Sequence, residues 1–170
     1  MPTKLYRILY EVMGKHLPAT YTPLVGKLAK CIRYALAKGF ADSIGQNVVI
    51  EKNARIASSL RIGAYSGIGI NALIDAEVTI GEYVMMGPDV AIYTHNHKHE
   101  MDGTPFCMQG YEERKPVVIG NNVWIGTRCV ILPGVRIGDN VVVGAGSVVT
   151  KDIPSCVLAA GSPARVVKKL

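Results

Sequence analysis

Residues 119–154 read IGNNVWIGTRCVILPGVRIGDNVVVGAGSVVTKDIP. An aliphatic residue returns at every sixth position of this stretch: Ile119, Ile125, Ile131, Ile137, Val143 and Val149. The same six-residue step runs upstream through Ile44, Ile50, Ile56, Ile62, Ile68, Ile74, Ile80, Met86 and Ile92. Glycine follows the aliphatic residue at nine of these 15 sites, which places a tight turn soon after each inward side chain. Four positions after the aliphatic site a small or β-branched residue recurs, as at Val48, Ala54, Ser66, Val84, Val123, Val135 and Ser147.

A period of six fits neither a helix nor a simple hairpin. It fits a short strand and a turn, repeated three times to close a triangular coil of about 18 residues. Successive coils then stack at the strand spacing of about 4.8 Å, with each aliphatic residue above its equivalent one coil below. Asparagine at the corners (Asn47, Asn53, Asn71, Asn122, Asn140) tolerates left-handed backbone angles. The expected fold is an all-β solenoid, a parallel β-helix of about five coils over residues 44–155.

The phase breaks once. Residues 98–118 separate the hexad ending at His97 from the one starting at Ile119, and a long loop extruded from a repeat protein usually serves function. The loop opens on THNHKHEMDGTPF, which holds His95, His97 and His99, three of the four histidines. Their alternate spacing places them on one side of an extended strand. A general base, a metal site and a solvated loop are the three readings of that pattern. Cys107, in the same loop, is a further nucleophile in type.

The N-terminal segment, 1–43, differs in character. The chain has 170 residues, a net charge of +6 and 49% hydrophobic residues, a composition that excludes disorder. Seven of its 19 cations lie in residues 1–43 against two acidic residues, so the basicity is local, and the rest carries no nucleic-acid stripe. Leu5, Ile8, Leu9 and Val12 fall at helical spacing, as do Leu24, Leu28, Cys31, Ile32, Ala35 and Leu36. Thr22 is the expected N-cap of the second helix, with Pro23 at its first position and Gly39 at its stop. Such a segment either lies on an anionic membrane surface or caps the main domain. The longest charge-free run is 13 residues (Ile62 to Ile74), too short to span a bilayer. There is no signal-peptide pattern, and Cys31, Cys107, Cys129 and Cys156 show no paired spacing, so a reduced, cytoplasmic chain is expected.

Residues 119–154, with AAGSPARVV at 159–167, resemble the left-handed β-helix hexapeptide-repeat acyltransferases, and most of all the maltose, galactoside and capsular-polysaccharide O-acetyltransferases. Left-handedness is implied by this resemblance, since ordinary crossovers are right-handed. The similarity covers residues 44–168. In the maltose-acetyltransferase pattern IYTxxH, Ile92, Tyr93, Thr94 and His97 match, so His97 falls on the catalytic histidine. The looser streptogramin-acetyltransferase pattern NHxMDG selects the same residue through Asn96, His97, Met101, Asp102 and Gly103. Glu100, Asp102, Asp89 or a backbone carbonyl are the candidates to orient it.

The resemblance implies acetyl-CoA as co-substrate, no metal, and a homotrimer with sites between subunits. It places the CoA groove at Trp124, Thr127, Ala145, Thr150 and Lys151, and the phosphate cations at Arg165 and Lys168 in the C-terminal tail, 156–170. Asp75 matches a sugar-binding acidic residue of the galactoside enzymes, and Asn71 a neighbouring amide or a plain corner residue. GKHLP (14–18) and the basic helix after it resemble extensions of capsular and exopolysaccharide acetyltransferases. The implied reaction is acetyl transfer to a saccharide hydroxyl, directly and with no acyl-enzyme on Cys107. An amino sugar, serine or antibiotic acceptor, a γ-carbonic-anhydrase-like metal enzyme and a non-catalytic scaffold are the rival readings.

Overall fold

The computed structural model describes residues 3–170; residues 1 and 2 of the N-terminal segment lie outside the described residues. Helix α1 (Thr3–Val12), a single 3-10 turn and helix α2 (Gly26–Lys38) precede the solenoid. The coils follow in order: β1 (Ser43–Ile44), β2 (Val49–Ile50) and β3 (Arg55–Ile56); β4 (Arg61–Ile62), β5 (Gly67–Ile68) and β6 (Leu73–Ile74); β7 (Val78–Ile80), β8 (Met85–Met86) and β9 (Ala91–Ile92); β10 (Val117–Ile119), β11 (Trp124–Ile125) and β12 (Val130–Ile131); β13 (Arg136–Ile137), β14 (Val142–Val143) and β15 (Val148–Val149).

From β1 to β12, every strand but β5 pairs in parallel with the strand three places on. Ile44 lies against Ile62 and Ile131 against Val149, which is the 18-residue coil of the hexad count. Three faces result. The first is β1-β4-β7-β10-β13, and the third is β3-β6-β9-β12-β15. The second runs from β2-β5 to β8-β11-β14, where β16 (Val157–Gly161) extends it in parallel and β17 (Ala164–Lys169) folds back antiparallel. This is the left-handed parallel β-helix. The count is slightly higher than expected: five coils are complete, and Ile153, bridged to Ile137, begins a sixth with β16.

The core is the stack of hexad side chains. Ile50, Ile68, Ile92, Ile125 and Ile131 are essentially unexposed, and so are the small residues four positions on, from Val48 to Val135. Ser66 and Ser147 enter this core as hydroxyls because each is satisfied. Ser66 Oγ donates to the Gly81 carbonyl at 2.8 Å and accepts from the Val84 amide at 2.9 Å. The corners carry the positive φ angles, at Asn47, Asn53, Asn71, Asn122 and Asn140 as expected, but also at Tyr65, Tyr83 and Arg128. The asparagines add ladders: Asn53 donates to Asn71, and Asn71 to Asp89, at 3.1 and 2.9 Å.

The N-terminal helices cap the first coil through Tyr10 and Arg33 rather than through the apolar stripe of α1. Tyr10, fully buried, donates its hydroxyl to the Ala54 carbonyl at 2.8 Å and packs on Phe40. A Cβ at Gly39 would enter the Tyr6 ring, so glycine there permits the close approach of α1 to the end of α2. Arg33, one of the seven cations of residues 1–43, is completely buried. Its guanidinium donates to the carbonyls of Ile50, Leu17 and Pro18 and to the Thr20 hydroxyl, and Glu51 stands 3.7 Å away. Burial pulls its pKa down while Glu51 opposes the shift. The stripe Ile8, Leu9 and Val12 faces outward. Thr22 is not the N-cap: Leu24 takes a φ of +67°, which interrupts the chain, and α2 starts at Gly26 behind Val25. No helix among the described residues is long and apolar enough to cross a membrane.

Candidate active site

The interruption leaves the third face after β9 and returns at Val117, two residues before the hexad phase resumes. It is an arm with its own pairing. Lys115 donates to Thr94, Glu112 to Asn96 and Lys98 to Gly110, at 2.7, 2.8 and 3.0 Å, so the two strands of the arm run antiparallel. At its tip the Gln109 amide donates to the carbonyls of Glu100 and Thr104.

Coil geometry brings Asp75 and the root of the arm together. Asp75 follows β6, and Tyr93 lies one 18-residue coil on, so Thr94 and His95 emerge beside the carboxylate. Asp75 Oδ2 lies 2.7 Å from His95 Nδ1 and accepts from the Thr94 hydroxyl at 3.0 Å. Oδ1 accepts from the Ala76 amide at 2.7 Å and from Arg114 at 3.1 Å. Burial alone would raise this carboxyl. The amides of Ala76 and Thr94, the Thr94 hydroxyl and the His95 ring outweigh it and hold the pKa down at about 2. An ionised carboxylate can only accept, so His95 donates through Nδ1–H, and in a neutral ring the lone pair then sits on Nε2.

The other two histidines are placed differently. His97 is exposed, pairs across the arm with Tyr111, and packs its ring on the Tyr111 ring at 4.2 Å. His95 lies on the same tyrosine at 4.9 Å, so the two histidines flank one aromatic ring. His99 turns toward Glu112, 3.7 Å away. None of the carboxylates expected to orient His97 hydrogen-bonds to its ring. Asp89 Oδ1 accepts from Asn71, the Asp102 carboxylate from the Thr104 amide and Gln109, and the Glu100 backbone pairs with Gln109. The carboxylate that does orient a histidine is Asp75, and the histidine is His95. Sequence reading also missed Arg114, which ties the arm to Asp75, and Tyr111.

A groove of about 340 Å³ opens beside this cluster on the third face. Asp75, His95 and Tyr93 form one wall and Arg55 and Leu73 the floor, while α1 contributes Arg7 and Glu11. Asn71 is not among its lining residues; both ends of its amide are engaged in the corner ladder.

Four of the expected CoA residues border the same face further along the prism. Thr127 and Ala145 stack one coil apart at its edge with the second face, where a Cβ on Gly126 would meet the Ala145 backbone. Thr127 donates its hydroxyl to the Pro88 carbonyl at 3.0 Å. Thr150 and Lys151 follow β15 at the opposite edge, both exposed. Trp124 stands around the corner on the second face, half-exposed, in a groove of about 480 Å³ with Tyr83, Met85, Val142 and Leu170. Arg165 and Lys168 project from β17, opposite Ala160 and Leu158. A single chain therefore gathers Asp75, Thr127, Ala145, Thr150 and Lys151 along one face and leaves Trp124 on the next.

Stacked hexads, interrupted by an arm rooted on an Asp–His pair, are the architecture of a hexapeptide-repeat protein. Residues 116–151 match the family described as bacterial transferase hexapeptide (six repeats). The chain is 40% identical over 144 residues to the galactoside O-acetyltransferase of Escherichia coli (strain K12), spanning 81% of this chain and 68% of that one. It is 34% identical over 141 residues to WcaF of the same strain, a protein assigned as a colanic acid biosynthesis acetyltransferase, over 81% and 74% of the two chains. The structure of a galactoside acetyltransferase in complex with coenzyme A superposes with a TM-score of 0.78 at 33% identity, over 98% of this chain and 82% of that one. The chain belongs to the hexapeptide-repeat acetyltransferase family.

Proposed function

We propose that the protein transfers acetyl from acetyl-CoA to a hydroxyl of a saccharide, a precursor of a capsular or exopolysaccharide, with His97 as general base. One observation carries the reading: the third face bears both the Asp75 groove and the turns of Thr127, Ala145, Thr150 and Lys151, so acceptor and thioester share one surface. His97 takes the hydroxyl proton, the oxygen attacks the thioester carbon, and the tetrahedral intermediate expels the CoA thiolate, which recovers the proton. Asp75 binds the acceptor, and Arg165 and Lys168 receive the phosphates of CoA. Asn71 serves the corner ladder. Cys107, exposed on the arm, has no part in a direct transfer.

A second assignment of the base has an observation of its own. The 2.7 Å contact with Asp75 fixes the tautomer of His95 and leaves Nε2 free, which is what a general base needs. Separate alanine variants of the two histidines distinguish them by initial rates of thiol release from acetyl-CoA. Loss confined to His95→Ala would move the base two residues back along the arm.

The assembly we propose is a homotrimer. Met101, Phe106 and Met108 on the arm, and Met85 and Trp124 on the second face, are exposed apolar side chains that a neighbouring chain would cover. Such packing lets the arm of one subunit meet the Trp124 face of the next. Ile8, Leu9 and Val12, flanked by basic residues, also give α1 the character of a peripheral membrane contact. The full chain is expected to sediment with anionic vesicles and Val12→Asp to stay in solution; equal partitioning of both would remove that contact.

A further inference from the structure

The groove beside Asp75 is lined by two carboxylates and two guanidiniums. Its two carboxylates are already matched within the chain. Glu11 is paired with Lys15 at 2.5 Å, and Asp75 is held by His95 and Arg114. Its other two charged residues, Arg7 from α1 and Arg55 from β3, make no ion pair among the described residues. Two guanidiniums with unused donors thus flank a concavity whose remaining wall is the Asp75–His95 cluster. A guanidinium fork matches the oxygen geometry of carboxylate and phosphate, and a pair of them selects for an anion over a neutral polar group.

We propose that Arg7 and Arg55 read an anionic group on the acceptor, so that the sugar placed at Asp75 carries a carboxylate or a phosphate near the acetylated hydroxyl. This rests on the acetyl-transfer reading of the same face. The residue from α1 matters most to specificity: the groove has one wall from the repeat and one from the N-terminal extension, so the extension helps to select the acceptor. Glu11 opposes an anion placed on its side, and its pairing to Lys15 limits that repulsion.

The test uses the full chain with CoA present and follows binding of p-nitrophenyl β-glucoside, p-nitrophenyl β-glucuronide and glucose 1-phosphate by ligand-detected NMR. Thiol release from acetyl-CoA is recorded in parallel with the first two. The expected result is about tenfold tighter binding of at least one of the two anions than of the neutral glucoside. The discrimination shrinks toward unity in Arg7→Ala/Arg55→Ala and at high salt. Preference for the glucuronide identifies a uronic acid acceptor, and preference for the phosphate a phosphorylated sugar. Equal binding of all three ligands, or discrimination that survives in the double variant, overturns the proposal. Anion discrimination without thiol release leaves the anion groove standing and removes the transfer reading. Thiol release with the glucoside and no discrimination does the reverse. An unchanged melting temperature in the double variant, expected for two exposed arginines, shows that lost discrimination is not lost folding.

Discussion

Asp75 is the residue on which the site turns, and its chemistry has a measurable signature. Its pKa is held at about 2 in the folded chain against an ordinary carboxyl value near 4. A depressed carboxyl stabilises the fold above its unfolded value, and that contribution is lost as pH falls through the folded one. The difference in melting temperature between wild type and Asp75→Asn is therefore expected to be constant from about pH 7 to 5 and to shrink between about pH 4 and 2. A difference that stays flat across that lower window would show that the hydrogen bonds do not favour the ionised form. Its partner was legible in principle: adding one coil of 18 to Asp75 reaches Tyr93, beside His95. Motif matching looked along the chain to His97 and missed the contact across coils. The burial of Arg33 was not legible, since a helical wheel of charges does not show that three carbonyls wait beneath one of them.

At the scale of the element, the hexad was almost fully legible because one six-residue unit fixes both its inward side chains. Every coil repeats the same burial, so a vacancy in one rung is not repaired by its neighbours. Ile131→Ala, at a fully buried rung between Ile92 and Val149, is expected to cost about 2–5 kcal/mol in urea unfolding. A loss under 1 kcal/mol would mean the stack relaxes into the space. The helices were legible as helices, while their orientation was not. Apolar spacing left the stripe of Ile8, Leu9 and Val12 open to a membrane or to the main domain; it faces outward, and Tyr10 and the gap at Gly39 decide how α1 docks. The arm was legible as an interruption, yet its antiparallel closure depends on backbone pairing that carries no residue signature.

For the whole molecule, the unfinished surface is the argument for assembly. The prism has two open grooves on adjacent faces and an apolar arm tip with nothing of its own chain beneath it. Sedimentation equilibrium is expected to return three chain masses for the wild type and a smaller species for Met101→Asp/Met108→Asp. A monomeric wild type would require the whole site, Trp124 included, to work within one chain, which the placement of Trp124 around the corner opposes.

On the proposed reading, the third face moves acetyl from a thioester to a sugar hydroxyl with His97 of the arm as base. The most direct test is the initial rate of thiol release from acetyl-CoA with neutral and anionic saccharides, for the wild type and for His97→Ala, with acetyl-CoA binding measured on both. Release is expected to depend on saccharide and to fall by about 10²–10⁴-fold in His97→Ala while acetyl-CoA still binds. Release at the wild-type rate in His97→Ala, or acetylation of amines with no saccharide turned over, would contradict it.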